Sequence, residues 1–151
     1  MSAYELKTSL VHLLHRASQT ADELFTGAQG SDSLTPRQFA VLSAIAATDG
    51  LSQTQIVDLT GVDRSTMADI VYRLKQKGLI TRQRSKLDAR AYSVRLSNAG
   101  RNMLETGVRG AKLTEDRLES FLAKQDSGDL RRLLQALLDA TGKKKLRSSS
   151  P

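Results

Sequence analysis

Apolar residues recur with a helical period over most of this chain and alternate with polar residues only near its centre. The first helical stripe covers residues 4–26, and the Gly- and Ser-rich stretch that follows, 27–33, predicts a loop. A second helix is expected to begin at Pro36, after the cap Thr35, and to end at Asp49-Gly50. The pattern therefore predicts a mainly α-helical protein.

Capping signals divide the next region into two short helices. Ser52 and Gln55 have the spacing of a capping box, in which each side chain binds the backbone N–H of the other residue. Gly61 ends the third helix, Asp63 is a favourable N-cap for the fourth, and Gly78 ends the fourth. Two short helices joined by about three residues that include a glycine are typical of a helix-turn-helix.

A hairpin is predicted directly after these helices. The alternation is weak in Leu79–Arg84 and clear in Tyr92–Leu96, and the connecting stretch SKLDARA is polar and basic. Two strands with a projecting basic tip are therefore expected. A helix-turn-helix followed by such a hairpin has the pattern of a winged helix, which here spans residues 34–97.

Leucine-rich helices flank this lobe. A fifth helix is predicted from residue 98 to about 123, and Gly107 and Gly110 within it indicate a bend, a close helix approach or a hinge. A sixth helix is predicted at about 128–141. The tail, 142–151, is expected to be a disordered basic segment.

The predicted fold class is mainly α with a small β-hairpin wing, that is, a winged helix-turn-helix plus N- and C-terminal dimerisation helices. The chain, 1–151, is expected to be a single unit in which the lobe at 34–97 is joined to dimerisation helices at 4–26 and 98–141. The leucines of these helices exceed what the lobe can bury. Burial against a second copy is the simplest way to cover them, so a homodimer is predicted.

The positive charge is concentrated in the winged helix. The formal net charge is +7, and residues 61–95 alone carry nine basic and three acidic groups, which gives +6. Such a patch favours a polyanion such as double-stranded DNA, with binding that weakens as salt rises. A basic surface that only keeps the protein soluble is the alternative.

Composition argues against several other classes. The chain has no cysteine, which excludes disulfides, thiol redox sensing and cysteine-based zinc sites. Two histidines leave little room for a metal site, no cofactor is expected, and no catalytic Ser-His-Asp set or phosphate loop indicates an enzyme. No membrane span or secretory signal is apparent, so a cytoplasmic protein without a membrane partner is expected.

The fourth helix presents a polar face suited to the major groove. Arg64, Ser65 and Thr66 lie in its first turn, which usually enters the groove most deeply, and arginine can bind guanine O6 and N7. Asp69 is unexpected there because phosphates repel a carboxylate. Three roles are open for Asp69. It can accept a hydrogen bond from a cytosine amino group, it can orient Arg73 one turn along, or it can form only a surface ion pair with Arg73.

Two other places complete the predicted DNA interface. The start of the third helix can bind a phosphate through its backbone N–H groups, although capping alone also explains its polar residues. At the hairpin tip, Asp88 either holds Arg90 extended for a narrow minor groove or only stabilises the turn. The strand arginines Arg82, Arg84 and Arg95 are expected to contact backbone phosphates or solvent. The candidates in these two places are Ser52, Thr54, Gln55, Lys86, Asp88 and Arg90.

Three stretches resemble the MarR family of bacterial winged-helix transcription regulators: LTPRQFAVLSAIA (34–46), SQTQIVDLTGVDRSTMADIVYRLKQKGLI (52–80) and KLDARAYSVRLSNAG (86–100). The last is similar to the family's wing signature, an Asp and an Arg separated by one residue before a Val-x-Leu strand. Ala68-Asp69 departs from the hydroxyl and basic residue that the family often carries. The resemblance implies an obligate homodimer, a palindromic operator and repression relieved by a small ligand, often an aromatic acid.

The first two stretches also resemble regulators of aromatic-acid breakdown, including hydroxycinnamate pathways, some of which respond to an acyl-CoA thioester. In that family the ligand lies between the DNA-binding lobe and the dimerisation helices. His12 and Arg16 are one turn apart and can meet a carboxylate, and Phe39 can stack on a ring. Exposed histidines and a core phenylalanine are the ordinary alternative. The ligand candidates are His12, His15, Arg16, Arg37, Phe39 and Met103.

The leading hypothesis is therefore a homodimeric repressor of a palindromic operator that a small aromatic acid or its CoA thioester releases. One alternative is a constitutive or architectural DNA-binding protein without an effector. Another is a protein–protein module that uses its leucine-rich helices and whose basic face is merely solvated.

Overall fold

The computed structural model describes residues 5–30, 33–86 and 91–148, with side chains as far as residue 142. The chain divides into two compact units, Met1–Thr114 and Glu115–Pro151. The helices are α1 (Leu10–Gly27), α2 (Pro36–Ala47), α3 (Gln53–Thr60), α4 (Arg64–Gln76), α5 (Asn98–Ser120) and α6 (Lys124–Ser148). The strands are β1 (Leu51–Ser52), β2 (Ile80–Arg84) and β3 (Tyr92–Leu96).

The first helix begins later than its apolar stripe suggested. A short 3-10 turn at Leu6–Thr8 precedes Ser9, whose backbone is extended and whose side chain accepts a hydrogen bond from the N–H of His12 at 3.2 Å. The predicted start at residue 4 was therefore wrong, because a serine N-cap sets the first turn at Leu10.

The local signals around the helix-turn-helix are confirmed. Ser52 and Gln55 form the reciprocal capping box, with the Gln55 N–H 3.2 Å from Ser52 Oγ and the Ser52 N–H 2.8 Å from Gln55 Oε1. Asp63 caps α4 by accepting the N–H of Thr66 at 2.9 Å. Gly78 follows the end of α4 with φ +68°, a left-handed conformation that disfavours a side chain.

The predicted hairpin is confirmed, and it belongs to a larger sheet than expected. The sheet is antiparallel with the order β1-β3-β2, so β3 is central. Ile80 pairs with Leu96 across β2 and β3, and Leu51 pairs with Val94 across β1 and β3. The strand β1 was not predicted, because two residues carry no alternation and pair only once the chain has folded.

One buried cluster joins the sheet to α2, α3 and α4. The apolar face of α4 supplies Met67 and Leu74, both fully buried, and burying a side chain of this size stabilises the fold by about 1.5–3 kcal/mol. The helix α4 is therefore held in place by its buried face. The buried cluster comprises Leu34, Val41, Leu42, Ile45, Leu51, Ile56, Met67, Ile70, Val71, Leu74, Leu79, Ile80, Val94 and Leu96.

The two mid-helix glycines of α5 mark close packing. A Cβ atom on Gly107 would lie 2.7 Å from the Phe39 ring, and one on Gly110 would lie 2.7 Å from the Cγ of Gln29. Of the three explanations that the sequence left open, a close approach is the one observed. The helix runs continuously from Asn98 to Ser120.

The second unit contains the end of α5 and the whole of α6. Arg131 binds Glu119 at 2.8 Å, and the guanidinium of Arg117 lies 4.9 Å from the Phe121 ring. The fifth helix ends at Ser120, short of the predicted residue 123, and the sixth begins four residues before the predicted 128.

The prediction of a disordered tail was wrong for the backbone of 142–148, which continues α6 as far as Ser148. Residues 149–151 lie outside the described part of the chain. The extension has a local cause, because lysine, leucine and arginine are good helix formers. The single Gly142 costs only about 1 kcal/mol relative to alanine, which is too little to end the helix.

Candidate nucleic-acid interface

The outer face of α4 is polar and exposed. Ser65 and Asp69 are exposed on the side opposite the buried Ile70 and Leu74, as the helical spacing predicted, and Arg64 is exposed in the first turn. Because the inner face is packed in the core, these side chains are presented on a fixed helix. This geometry suits insertion of a helix into the major groove.

Thr66 takes part in the N-terminal cap of α4. Its hydroxyl donates to Asp63 Oδ2 at 2.6 Å, and its N–H donates to the same carboxylate. These two hydrogen bonds, the hydroxyl one foremost, hold the pKa of Asp63 below its ordinary value. A carboxylate that stays charged is favourable at a helix N-terminus, where the helix dipole is positive.

Asp69 and Arg73 form the ion pair that their spacing allows. Arg73 Nε donates to Asp69 Oδ2 at 2.8 Å, and the side chains of Arg73 and Asp69 are 65% and 57% exposed, respectively. An exposed pair of this kind contributes only about 0.3–0.5 kcal/mol to stability. The contact uses only Nε of Arg73, so the N–H groups on the two terminal nitrogens can donate to another acceptor.

At the start of α3 the side chains are mostly engaged in capping. Ser52 and Gln55 bind each other's backbone, whereas Thr54 is exposed. A phosphate at this helix end would therefore meet Thr54 first. The hydrogen bonds that Ser52 and Gln55 form here are those of the capping box.

The wing is basic along its strands as well as at its tip. Lys86 is exposed just beyond β2, whereas Asp88 and Arg90 lie outside the described residues. Arg82 lies 5.0 Å and Arg84 6.0 Å from the centre of the Tyr92 ring, an arrangement that was not predicted.

Arg95 is exposed, as expected, and it also has a partner that was not predicted. Its Nη1 donates to Asp49 Oδ2 at 2.7 Å, so its partner is a carboxylate in the turn before β1. The sequence did not reveal this pair, because the two residues are 46 positions apart.

The ligand candidates lie in two kinds of environment. His15, Arg16 and Arg37 are exposed, and His12 is half-buried. The ring centres of Phe39 and Phe25 are 5.3 Å apart, which agrees with the ordinary alternative of a core phenylalanine. Met103 packs against the buried cluster. Within the described residues no hydrogen bond or ion pair joins these candidate side chains to one another.

A groove of about 490 Å³ lies elsewhere in the first unit, between the end of α2, the end of β3 and α5. Its floor is apolar, and Arg101 and Arg109 flank it two helical turns apart. No predicted ligand residue lines this groove. The only sequence signal was the pair of arginines at helical spacing. The lining residues are Ala46, Leu96, Arg101, Leu104, Glu105, Val108 and Arg109.

The described residues contain neither a cluster of metal-ligating side chains nor a helix that could span a membrane. No three histidine, aspartate or glutamate side chains in 5–30, 33–86 and 91–148 converge as metal ligands would. No helix in the same ranges combines the length and the apolar character that crossing a membrane requires.

Comparisons with known proteins agree with this geometry. The family model described as the MarR family matches residues 32–91. A protein assigned as the transcriptional regulator of the hcr operon in Thauera aromatica is 30% identical over 107 residues. That match covers 71% of this chain and 64% of the relative, so it spans slightly less than two thirds of the relative's length.

Two solved structures extend the similarity over nearly the whole chain. The PcaV transcriptional regulator of Streptomyces coelicolor, in complex with its natural ligand, is 32% identical with a TM-score of 0.83, covering 93% of this chain and 99% of that one. The repressor CouR, bound to a 23-mer DNA duplex, is 30% identical with a TM-score of 0.81, covering 91% and 99%. CouR bound to p-coumaroyl-CoA matches with a TM-score of 0.78. The chain belongs to the MarR family of transcriptional regulators.

Proposed function

We propose that this protein is a homodimeric repressor that binds a palindromic operator and that a small aromatic acid or its CoA thioester releases from DNA. The observation that carries the proposal is the exposed polar face of α4 on a helix whose other face is fixed in the core. CouR, a repressor of similar fold, has been solved on a DNA duplex.

The proposed DNA contacts follow from this placement. Arg64, Ser65 and Asp69 on α4 read base edges, and Arg73, held by Asp69, binds a phosphate or a base at the edge of the groove. Thr66 supports the helix start through Asp63 and meets the DNA backbone with its exposed part. The remaining proposed contacts are Ser52, Thr54, Gln55, Lys86, Asp88 and Arg90.

The homodimer is proposed from apolar surface that this chain does not cover. On α6, Leu133 and Leu138 are 56% and 68% exposed, and on α1 Leu10 is 68% exposed. Leucines at helical spacing on two helices are favourable to bury against a second copy. A two-fold dimer presents two copies of α4, and it therefore suits an operator with two inverted half-sites.

The effector class is supported by one relative's ligand and by side-chain chemistry. CouR has been solved with p-coumaroyl-CoA, an aromatic acid as its CoA thioester. Here the exposed Arg16 and Arg37, with His12 and His15, supply groups that suit a carboxylate or phosphate, and Phe39 and Met103 supply apolar contacts. An effector that binds the DNA-free form more tightly shifts the population away from the operator complex.

The test is a titration of the duplex upstream of the protein's own gene, followed by fluorescence anisotropy, with p-coumarate and p-coumaroyl-CoA added in turn. We expect tight binding that one of the two compounds reverses. Arg37→Gln should blunt the response, whereas Arg101→Gln in the groove should not. If Arg101→Gln alone abolishes the response, the effector occupies the groove instead.

A constitutive DNA-binding protein is the alternative outcome. A ligand that binds the folded protein raises its melting temperature. If neither compound raises it or weakens DNA binding, the effector part of the proposal fails while the repressor part stands.

A further inference from the structure

We propose that Arg82, Arg84 and Tyr92 form a phosphate-binding site on the strands of the wing, distinct from the wing tip and from α4. This site, called here the arginine–tyrosine cluster, rests on the proposed DNA-binding function. Its ligand is the sugar–phosphate backbone of duplex DNA.

The register of the hairpin places the three side chains on one face. Arg84 pairs with Tyr92, and Arg82 pairs with Val94, two residues further along β3. Directly paired residues in an antiparallel sheet point to the same side, as do residues two apart on one strand. The two arginines therefore flank one tyrosine, and this face continues the row that begins with the buried pair Ile80 and Leu96.

The tyrosine ring acts as a platform for the two cations. The guanidinium carbons of Arg82 and Arg84 lie 5.0 Å and 6.0 Å from the ring centre, within the range of cation–π attraction. Tyr92 is 41% exposed, so the platform is accessible from solvent. A guanidinium that stacks by its face keeps its in-plane N–H groups available, and those groups match the oxygens of a phosphate.

Charge separates this face of the hairpin from the other face. Arg95 lies on the opposite face, and its charge is compensated by Asp49 at 2.7 Å. Within the described residues neither Arg82 nor Arg84 has a carboxylate within ion-pair distance. Among the described residues the hairpin thus carries two cations without an ion-pair partner on one side and a neutralised one on the other, which favours the first side as the one that meets a polyanion.

The proposed ligand is a DNA backbone because the arginine–tyrosine cluster offers positive charge but no enclosed pocket. Two arginines two residues apart on a strand are separated by about 6.6–6.8 Å, so they can contact one phosphate or two neighbouring ones. The three side chains are exposed on the strands and do not line the groove described above. Contacts of this kind position a protein on the duplex without reading sequence.

The test measures how binding to a random-sequence duplex depends on salt. Each lost phosphate contact lowers the magnitude of the slope of log K against log salt by about 0.9. The double variant Arg82→Gln, Arg84→Gln should therefore lower it by about 1.8 for one wing, and by about 3.6 if both wings of a homodimer are engaged. Arg95→Gln is the matched control, from the same hairpin, and should leave the slope unchanged.

The tyrosine is tested by two variants that leave the charges in place. Tyr92→Phe keeps the ring and should bind within about twofold of the wild type. Tyr92→Leu removes the platform, and at exposed sites cation–π attraction corresponds to a loss of about two- to fivefold per wing, without a change in slope. Melting curves of all four variants verify that each is folded.

The inference is overturned if the folded double variant keeps the wild-type slope, or if Arg95→Gln lowers the slope as much. It is also overturned if Tyr92→Phe and Tyr92→Leu bind equally. A wild-type protein that shows no salt-dependent duplex binding refutes the proposed function itself, which keeps the two failures distinguishable.

Discussion

Gly100 lies in the first turn of α5, where the helix meets the backbone of Leu79. A Cβ atom at position 100 would overlap the carbonyl oxygen of Leu79 and lie 3.0 Å from its carbonyl carbon. That carbonyl accepts the N–H of Ser97 at 3.0 Å, and Ser97 Oγ in turn donates to the carbonyl of Gly78 at 2.6 Å. Gly100→Ala therefore forces apart two backbones that hydrogen bonds hold together.

The size of the effect follows from three terms. Overpacking that displaces backbone costs about 3 kcal/mol, the upper part of the usual range. Loss of the Ser97–Leu79 hydrogen bond adds about 1 kcal/mol, and the better helix propensity of alanine returns about 1 kcal/mol. The net destabilisation is about 3 kcal/mol, and for a chain of this length it lowers the melting temperature by about 6–12 °C.

The assay is thermal unfolding at a fixed protein concentration, because the stability of a dimer depends on concentration. Gly128→Ala is the control, since a Cβ there meets no atom within 4 Å and should be neutral or slightly stabilising. If Gly100→Ala melts at the wild-type temperature, the contact between α5 and the α4–β2 junction is not the one described.

Three further predictions concern the cap, the DNA face and the dimer. The pKa of Asp63 is lowered in the folded state, so the charged Asp63 carboxylate stabilises the protein above pH 3.8. This stabilisation is lost as the pH falls through the folded-state pKa of Asp63. The stability advantage of wild type over Asp63→Ala should thus shrink in acid. Arg64→Ala should cost about 1–3 kcal/mol at a single base position, whereas Arg90→Ala should weaken all duplexes alike. Leu134→Glu on α6 should shift the oligomer to monomer in sedimentation velocity, because it places a charge on a face proposed to be buried.

Each of these predictions has an outcome that contradicts it. Asp63→Asn still caps a helix but does not titrate, so its loss of stability relative to wild type should be largest above pH 3.8 and should shrink in acid; a pH-independent difference removes the electrostatic argument. Identical base preferences for Arg64→Ala and Arg90→Ala deny them separate roles. A dimer that survives Leu134→Glu unchanged moves the interface away from that residue.

The features that the sequence predicted correctly are those fixed by near neighbours. The Ser52–Gln55 box and the Asp63 cap need only residues three positions apart, so the residue types alone determine the geometry. The same holds for the buried face of α4, because a period of 3.6 residues places Met67, Ile70 and Leu74 together.

The features that the sequence missed depend on contacts between distant segments. Strand β1 exists because Leu51 meets Val94, and the residues of the Arg95–Asp49 pair are 46 positions apart. The stacking of Arg82 on Tyr92 depends on the hairpin register, which alternation indicates only loosely. The groove flanked by Arg101 is formed by α2, β3 and α5. No local sequence pattern determines how these three elements are placed relative to one another.

Sequence-specific DNA binding by this protein is tested by comparing its affinity for two duplexes at physiological salt. One carries the region upstream of the protein's own gene, and the other carries the same bases in scrambled order. We predict that two protomers bind the first duplex at least about 1,000-fold more tightly than the second, the lower end of the range for specific regulators. Equal affinity for the two duplexes would contradict it.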